Sequence, residues 1–336
     1  MKVYATLGDG IEALQVKELP TPKVESEEVL VKMKSVSLNF RDLLVINGVA
    51  SWKPVSQRIP VSAGVGEITS IGKNVSKWKV GDVVAGIFLP KWLEGNLTAE
   101  AYILPLGGPI ADGVLAEYVV FNQQSIVKVP ANLSNTEAAT LPVAALTAWH
   151  AVARRSQVKD GETVLIQGTG GVSLFALQFA KAMGGKIIAL SSSDEKLERV
   201  KALGASNTIN YKKHADWDKK VLDLTDGRGV EHVIEVVGGE NLNRSLNAVK
   251  IGGTISFIGL MAGLSAPINT YQFVSKNIRI HGIETGSRKM FEEMNRFIEL
   301  HGINPVIDRV FSFIQIKDAL KYLESGSHFG KVIIDF

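Results

Sequence analysis

The spacing of hydrophobic and polar residues divides the chain into two regions. Up to about residue 125, short apolar–polar alternations such as 28–33 and 79–84 are separated by glycine and proline, which is typical of compact β-structure. After Pro130, near-continuous apolar runs alternate with amphipathic stretches. Because such apolar runs form strands buried on both faces, the second region is predicted to be a parallel sheet covered by helices.

The second region predicts a regular series of elements. The expected strands are 163–167, 186–190, 207–210, 230–236 and 253–258, and the expected helices are 175–183, 194–203, 216–225 and 241–249. Ser134 and Glu137 have the spacing of a capping box and indicate the first helix start of this region. The segment 277–282 predicts a last strand. This alternation predicts a doubly wound α/β fold.

Composition and charge exclude several classes of protein. The chain has 336 residues, and its net charge of +3 is spread without blocks of one sign, so no nucleic-acid partner is expected. It has no cysteine, which excludes disulfides, cysteine nucleophiles and thiolate metal ligands. The amino terminus lacks the apolar core of a signal peptide, and no apolar run is long enough for a membrane span. We therefore expect a cytoplasmic enzyme with no membrane partner.

A glycine-rich segment lies between the predicted strand 163–167 and the helix that follows it. Gly168 can form a tight turn there, and Gly170 lets the backbone approach a pyrophosphate. The free amide groups and positive dipole end of the next helix bind phosphate, and Ser173 is small enough for close packing. The expected coenzyme-binding residues of this segment are Gly168, Gly170, Gly171 and Val172. The alternative interpretation is an ordinary glycine turn.

The end of the second predicted strand indicates which dinucleotide binds. NAD enzymes commonly place Asp or Glu there, about 20 residues after the loop, to bind the ribose hydroxyls. This chain has Ser191, Ser192 and Ser193 instead. Serine does not repel a 2′-phosphate, and Lys196 in the next helix can pair with it. The sequence therefore favours NADP(H) over NAD(H); alternatively, the serines are only a helix cap and Lys196 is a solvated side chain.

Six short motifs follow one another along the chain. They are LNFRD at 38–42, AGVGE at 63–67, VGDV at 80–83, LTA at 146–148, GTGGVS at 168–173 and HFGK at 328–331. Through them the whole chain resembles the medium-chain dehydrogenase/reductase superfamily, and most closely its zinc-lacking branch of quinone oxidoreductases and enone or enoyl reductases. The resemblance implies a GroES-like β-barrel domain over 1–125, completed by 302–336, and a Rossmann NAD(P)-binding domain over 126–301.

The resemblance also bears on zinc. Zinc-dependent members of the superfamily hold the metal with Cys and His ligands, and the matching positions here are Asn39, Ser62 and Val143, none of them a good zinc ligand. Residues 1–149 contain no histidine and no cysteine, and the histidines that follow show no HxH or HxxxH spacing. No catalytic or structural metal site is therefore expected.

Without a Lewis acid, a carbonyl or alkene that conjugation already polarises is the easier substrate. The resemblance implies hydride transfer from a dihydronicotinamide to a quinone or to the β-carbon of an enone, with hydrogen-bond donors stabilising the oxyanion. Asn39 is the candidate to orient the substrate carbonyl, unless it only satisfies a turn. Arg41 is expected either to bind substrate or to face solvent. Asp42 is expected either to belong to the catalytic site or to have a structural role. Some enoyl reductases place a proton-donating tyrosine where this chain has Ala50, which argues against tyrosine-assisted reduction.

Further coenzyme contacts are implied by position in the resemblance. They are Thr147 at the nicotinamide, Tyr211 after the third strand, Val237 and Gly238 after the fourth, Ile258, Gly259 and Leu260 after the fifth, and Gly330 and Lys331 in the tail. Carboxyl ends of parallel strands are where open α/β sheets bind ligands. The alternatives are an edge aromatic for Tyr211 and a solvated side chain for Lys331. The last strand often lies at the dimer interface in the family, which implies a homodimer.

The sequence thus predicts a zinc-independent, NAD(P)H-dependent oxidoreductase that acts on a small molecule, either a quinone or an activated alkene or enone. An alcohol or aldehyde dehydrogenase on the same fold is the first alternative. The second is a cofactor-binding or structural protein without catalysis, a role that some relatives have while retaining coenzyme affinity. A substrate panel with and without a chelator separates the first two. The sequence supports the non-catalytic role only weakly, because the phosphate loop is intact, and NADPH binding without turnover of any carbonyl or alkene would favour that role.

Overall fold

The computed structural model describes all residues, Met1–Phe336. In chain order the strands are β1 (Lys2–Ala5), β2 (Gln15–Glu18), β3 (Glu28–Ser37), β4 (Ala63–Ile71), β5 (Val83–Gly86), β6 (Tyr118–Asn122), β7 (Ile126–Lys128), β8 (Thr163–Gln167), β9 (Lys186–Ser191), β10 (Asn207–Asn210), β11 (Val230–Glu235), β12 (Val249–Phe257), β13 (Arg279–Gly282), β14 (Ile307–Ser312) and β15 (Lys331–Asp335).

The helices are fewer and mostly short. In chain order they are α1 (Phe40–Ile46), α2 (Ala99–Tyr102), α3 (Asn135–Ala138), α4 (Leu146–Trp149), α5 (Gly171–Ala182), α6 (Asp194–Ala202), α7 (Trp217–Leu224), α8 (Asn241–Ala248), α9 (Tyr271–Ser275), α10 (Arg288–His301) and α11 (Ile316–Glu324). Segments Leu141–Ala145 and His150–Ser156 are π-helical, and Ile11–Ala13, Ala50–Trp52 and Phe313–Gln315 are 3₁₀ turns. None of the helices is both long and apolar enough to cross a membrane.

The chain forms two compact units. The first comprises Met1–Leu146 with Thr285–Phe336, and the second comprises Thr147–Glu284. The first unit is larger than the barrel domain expected from the sequence. One reason is that α10 is fastened to β7, since Asn295 Nδ2 donates to the carbonyl of Lys128 at 2.8 Å. We therefore place the whole of α10 with the first unit.

The first unit is built on a seven-stranded sheet that is mostly antiparallel. Its order is β14-β15-β3-β4-β5-β7, with β6 also pairing with β3, and only β14 and β15 run parallel. The predicted strand 28–33 is confirmed and continues to Ser37. The predicted strand 79–84 is wrong in its first half. Residues 79–82 form a turn, because the Asp82 carboxylate accepts the Lys79 amide at 3.0 Å and Gly81 has φ +91°.

The second unit is built on a six-stranded parallel sheet of order β10-β9-β8-β11-β12-β13. This order confirms the predicted doubly wound fold, in which the chain starts in the middle of the sheet and winds outward in both directions. The predicted strands 163–167 and 207–210 are observed without change. The predicted helix 175–183 begins earlier, at Gly171, so the glycine-rich segment itself forms the first turn.

The core of the second unit explains why its strand ends are held firmly. Leu165, Val233 and Ile255 on the central strands pack with Trp217 and Leu246 on the covering helices, and all are nearly or completely buried. Each such side chain contributes about 1.5–3 kcal/mol to folding when it is fully buried. Because every strand runs in the same direction, all the carboxyl ends lie along one edge of the sheet, and the loops there share a rigid support.

Candidate functional site

The loop after β8 is fastened at its ends and open in its middle. The Gly168 amide donates to the carbonyl of Leu190 at 2.8 Å, and the buried Ser173 hydroxyl donates to the carbonyl of Gln167 at 2.7 Å. Gly168 has φ +73°, a conformation that side chains disfavour. A Cβ added at Gly170 would have no heavy atom within 4 Å. The backbone therefore has open space on the Cβ side of Gly170, where the sequence predicts a pyrophosphate.

Helix α5 begins directly at this open backbone. Gly170 is its N-cap and has extended geometry, and the twelve residues of α5 contain no acidic side chain in the first turn. The first amides of any helix lack partners within it, and the helix dipole gives this end a partial positive charge. No carboxylate of that turn offsets this charge. The loop and helix can thus hold a diphosphate through main-chain amides alone.

Beside this loop, the ends of β9 and β10 carry the residues predicted to select the dinucleotide. Ser191 is buried, Ser193 is the N-cap of α6 and accepts the Lys196 amide at 3.4 Å, and Tyr211 is 42% exposed. Sequence reasoning missed Asp194, whose carboxylate lies close by. Its Oδ1 accepts a hydrogen bond from Asn210 at 2.7 Å.

The charge of this carboxylate is balanced locally. Lys213 Nζ lies 2.5 Å from Asp194 Oδ2. The hydrogen bond from Asn210 and the ion pair with Lys213 together hold the pKa of Asp194 below its usual value. The anionic form is thus paired at the edge where a 2′-phosphate is predicted, and Lys213 adds a second cation to the neighbourhood of Lys196.

The ends of β11 and β12 are joined through Glu235, a buried residue that sequence reasoning also missed. Glu235 is fully buried, and its side chain accepts the amides of Val237 at 2.9 Å and Gly238 at 3.0 Å. Its main-chain carbonyl accepts the amides of Ile258 at 2.8 Å and Gly259 at 3.0 Å. One residue therefore fixes both loops in which the sequence places coenzyme contacts.

Glu235 also reaches the phosphate loop. Gln167, the last residue of β8, donates through Nε2 to Glu235 Oε2 at 2.9 Å and to Ser245 Oγ at 2.8 Å. Ser245 itself donates to Glu235, and Asn241 donates to both Gln167 and Glu235. The available signal was a glutamate ending an apolar strand, but its partners are far away in sequence. The result is a rigid polar layer behind the carboxyl edge of the sheet.

The predicted catalytic motif 38–42 lies at the start of α1 in the first unit. Asn39 is the N-cap and forms a capping box with Asp42, whose Oδ2 accepts a hydrogen bond from the main-chain amide of Asn39 at 2.8 Å. Asp42 is fully buried, and its Oδ1 accepts the Ser62 hydroxyl at 2.8 Å. The carboxylate thereby organises the turn that presents Asn39.

The Asn39 side chain lies between two further groups. Its Nδ2 donates to the carbonyl of Ser37 at 3.1 Å and lies 3.5 Å from Ser62 Oγ. Its Oδ1 accepts Lys331 Nζ at 2.6 Å, and the same ammonium donates to the carbonyl of Leu38. Burial lowers the pKa of Lys331 to about 7, and the negative charge of Asp42 partly opposes that shift. The structure thus joins the two motifs 38–42 and 328–331 in one polar cluster.

Arg41 has several partners within the first unit. Its Nη1 lies 3.1 Å from Asp42 Oδ1 and donates to the carbonyl of Leu106 at 3.1 Å. The guanidinium lies 5.3 Å from the ring centre of Trp52 and 4.8 Å from that of Phe88. A guanidinium held between aromatic rings and bonded to a carboxylate has little freedom. Arg41 therefore ties the loop around Leu106 to α1.

Backbone strain occurs next to this cluster. Val61 has φ +72°, which is unusual for a β-branched residue, and it is fully buried. Its carbonyl accepts the amide of Val114 at 2.9 Å, and a Cβ at Gly113 would lie only 2.0 Å from that oxygen. Close packing thus maintains a conformation that costs about 1–3 kcal/mol. The next residue is Ser62, so the strained turn aims the hydroxyl that Asp42 accepts.

The donors in this cluster do not suit zinc. Asn39 and Ser62 offer a neutral amide and a hydroxyl, and Val143 offers no donor atom, whereas zinc sites use thiolate, imidazole and carboxylate ligands. In the whole chain, no group of three or more His, Cys, Asp or Glu side chains is placed to hold a metal ion.

The remaining predicted residues divide between the units. Thr147 is buried in the second, and Gly330 lies in the first, where its Cβ would meet Val306 O at 2.2 Å.

Two family models match the chain. The alcohol dehydrogenase GroES-like domain matches residues 25–131, and the zinc-binding dehydrogenase model matches residues 171–300. They confirm the GroES-like part of the predicted fold as well as the Rossmann part. The second description names zinc, although the donor set of this chain does not fit that metal.

Individual relatives match over nearly the full length. A zinc-type alcohol dehydrogenase-like protein of Schizosaccharomyces pombe is 42% identical over 332 residues, covering 97% of this chain and 96% of the relative. The crystal structure of a putative alcohol dehydrogenase from Sinorhizobium meliloti 1021 is 37% identical, with a TM-score of 0.93, and covers 100% of this chain and 98% of that one. The structure of an NAD-dependent alcohol dehydrogenase is 31% identical, with a TM-score of 0.90 and full coverage of both chains.

Proposed function

Because the chain belongs to the medium-chain dehydrogenase/reductase superfamily of oxidoreductases, we propose that it is a zinc-independent, NADP(H)-preferring reductase of quinones or activated alkenes. The observation that carries the proposal is the open backbone of 168–173 at the start of α5. When bound, the reduced coenzyme supplies a hydride. Gly170, Gly171 and Val172 hold its diphosphate through main-chain amides, and Gly168, whose own amide donates to the carbonyl of Leu190, forms the tight turn beside it.

The residues along the carboxyl edge of the sheet hold the rest of the coenzyme. Those proposed for the 2′-phosphate are Ser191, Ser192, Ser193, Lys196 and Tyr211, and we add Lys213, which pairs with Asp194 at the start of α6. Those proposed for the nicotinamide are Thr147, Val237, Gly238, Ile258, Gly259 and Leu260. Glu235 does not contact the coenzyme in this proposal; it fixes the loops that do.

Asn39 is the proposed donor to the substrate. Hydride adds to the β-carbon of the activated alkene, its double bond becomes single, and the displaced electron pair moves onto the carbonyl oxygen. The Asn39 amide stabilises that oxygen by a hydrogen bond. Water then supplies the proton that completes reduction at the α-carbon. Asp42 and Arg41 support this step by holding the turn and the neighbouring loop.

A substrate panel tests the proposal. Oxidation of NADPH and NADH is followed with quinones, enones and aldehydes, each with and without a metal chelator. We expect turnover of a quinone or an enone, a lower KM for NADPH than for NADH, and no effect of the chelator. Turnover of simple alcohols that the chelator abolishes would contradict the zinc-free proposal.

An alcohol or aldehyde oxidoreductase without zinc is the second candidate. It is favoured by the relatives, whose names describe alcohol dehydrogenases. Oxidation of a primary or secondary alcohol with NADP⁺, at a rate above that of enone reduction and unaffected by chelator, would select it.

The coenzyme preference has its own test. Lys196→Ala is expected to raise the KM for NADPH about 10-fold and to leave that for NADH unchanged, because only NADPH carries the phosphate. Lys201 is a matched control in the same helix, where it pairs with Glu198 at 2.7 Å. Equal effects of Lys196→Ala on both coenzymes would remove the basis for the preference.

A homodimer is the proposed assembly. Strand β13 is the edge of its sheet, and Met261, Leu264, Tyr271 and Val274 nearby in sequence are more than half exposed. An open strand edge with apolar neighbours is the kind of surface that a second copy covers. Light scattering is expected to give twice the chain mass, and Val274→Lys is expected to reduce it to one chain. A monomeric wild type would contradict the assembly.

A further inference from the structure

The side chain of Lys331 is the one buried amine in the polar cluster of Asn39, Asp42 and Ser62. It lies on β15, is 4% exposed, and donates to Asn39 Oδ1 at 2.6 Å and to the carbonyl of Leu38. Burying an ammonium is costly unless it is paired and hydrogen-bonded, so the acceptors of this one matter. Both of its acceptors belong to the turn that presents Asn39.

The bond from Lys331 determines which way the Asn39 amide faces. Because Oδ1 accepts the ammonium, Nδ2 must point to the other side, where the carbonyl of Ser37 takes one hydrogen at 3.1 Å. The second hydrogen has only the long 3.5 Å contact with Ser62 Oγ. Ser62 directs its own hydrogen to Asp42 at 2.8 Å. One N–H of Asn39 is therefore weakly held and can turn to another acceptor.

We propose that Lys331 is a positioning residue for the reduction, acting through Asn39: its ammonium fixes and polarises the Asn39 amide so that the weakly held N–H bonds the substrate carbonyl oxygen. This inference rests on the proposed function. A cationic donor on an amide oxygen withdraws electron density from the amide, which makes its N–H a stronger donor. The buried ammonium thus strengthens the hydrogen bond from Asn39 to the developing oxyanion without contacting that oxygen itself.

Protonation of Lys331 controls the effect. Burial lowers the pKa of Lys331 to about 7, so the fraction that carries the charge changes around neutral pH. The charged groups that face the cluster from α1 are the Asp42 carboxylate, which acts to raise this pKa, and Arg41, which is paired with Asp42 at 3.1 Å. As pH rises through about 7, the ammonium loses its proton, and the polarisation of Asn39 falls with it.

The wild type and two variants test the proposal by the pH dependence of kcat/KM for the best substrate. Wild type is expected to lose rate as pH rises through about 7. Lys331→Met is expected to be about 10-fold slower at pH 6 and to have no such inflection, a smaller loss than removal of a direct oxyanion donor causes. Lys331→Arg is expected to keep the rate while losing the inflection, because guanidinium stays charged. Unchanged rate and profile in Lys331→Met would overturn the proposal.

Lys276→Met is the matched control. Lys276 is also a partly buried lysine, with its pKa lowered by burial, and it donates to the carbonyls of Leu246 at 2.9 Å, Asn247 at 2.7 Å and Val249 at 2.9 Å. None of these acceptors belongs to the Asn39 cluster, so its loss is expected to lower stability and to leave the pH profile unchanged. A profile that changes equally in both variants would mean that Lys331 acts only on folding.

A spectroscopic measurement separates this inference from the proposed function. In ¹⁵N-labelled wild type, the side-chain amide signal of Asn39, identified by its loss in Asn39→Asp, is expected to shift with pH around 7. It should not do so in Lys331→Arg. If the wild type binds coenzyme but reduces no substrate, the proposed function fails. The pH dependence of the Asn39 signal then tests by itself whether Lys331 polarises Asn39. A signal that ignores pH would overturn the role of Lys331.

Discussion

The phosphate loop of the second unit and the polar cluster of the first unit are built in opposite ways. In the loop, the backbone at Gly170 faces open space and the side chains behind it only fasten the strand ends. In the cluster, Asn39, Asp42 and Lys331 are each less than a tenth exposed and bond to one another. In the proposed function, a diphosphate is held by main-chain amides, whereas a substrate carbonyl is oriented by one side chain that its neighbours must hold in place.

This difference predicts where substitutions act. Changes in the loop should alter coenzyme affinity and spare the fold, because no packing depends on the open side of the loop. Changes in the cluster should alter stability together with turnover, because the same bonds serve both. Three substitutions and one pH dependence test this contrast.

Gly170→Leu places a side chain where the diphosphate is proposed to lie. We expect coenzyme affinity to fall about 1,000-fold, about 4 kcal/mol, with thermal stability nearly unchanged. Fluorescence titration with NADPH and thermal unfolding measure the two quantities. Gly282→Leu is the control, since a Cβ there also meets no atom within 4 Å. Wild-type affinity in Gly170→Leu would show that the coenzyme does not use this loop.

Asp42→Asn tests the cluster. The carboxylate is buried and accepts hydrogen bonds from Asn39, Ser62 and Arg41, and an amide cannot accept all of them. We expect the free energy of unfolding to fall by about 3 kcal/mol, with a loss of turnover. Asp9→Asn, which breaks an exposed pair with Lys53, is expected to change the free energy of unfolding by less than about 0.5 kcal/mol. Equal effects in urea denaturation would contradict the account.

Glu235→Gln lies between the two cases, because Glu235 is buried yet serves the coenzyme edge. Loss of the carboxylate weakens its hold on the amides of Val237 and Gly238. We expect coenzyme affinity to fall about 10-fold with a modest loss of stability. Calorimetry of NADPH binding checks the affinity. If the variant were less stable but bound NADPH as tightly as the wild type, Glu235 would contribute to folding only.

His232, which lies on β11 near the amino ends of the parallel strands, gives the smallest effect. Burial lowers the pKa of His232, and its 2.9 Å bond to Glu162 only partly opposes this. Between that lowered value and the unfolded value of about 6.5, only the unfolded chain binds the proton, so acid should lower stability there by less than about 1 kcal/mol. Urea denaturation against pH measures this, with the exposed His214→Gln as a control and His232→Gln to remove the effect.

The parts predicted well from sequence are those set by neighbouring residues. The loop 168–173 follows from a strand, three glycines and a helix that are adjacent in the chain, and the strands at 163–167 and 207–210 follow from continuous apolar runs. The first half of 79–84 was mispredicted because Asp82 and Gly81 turn the chain before the strand begins at Val83. Turn chemistry there outweighs the apolar pattern.

The parts that could not be predicted depend on contacts between distant residues. Gln167 and Glu235 are 68 positions apart, and Asn39 and Lys331 are 292 apart. Sequence reasoning identified both Asn39 and Lys331, from separate motifs, but it had no means of pairing them. The same holds for Arg41, whose partners include the carbonyl of Leu106, 65 positions away. Motifs located these residues, and only the fold gave their partners.

Every part of the proposed function depends on the binding of a dinucleotide by the amides that open α5. Calorimetric titration of the wild-type protein with NADPH, NADP⁺, NADH and NAD⁺ tests it most directly. The account predicts saturable binding of one coenzyme per chain, tighter for the NADP(H) pair than for the NAD(H) pair. No binding of any of the four would contradict the account, whatever substrates were tried.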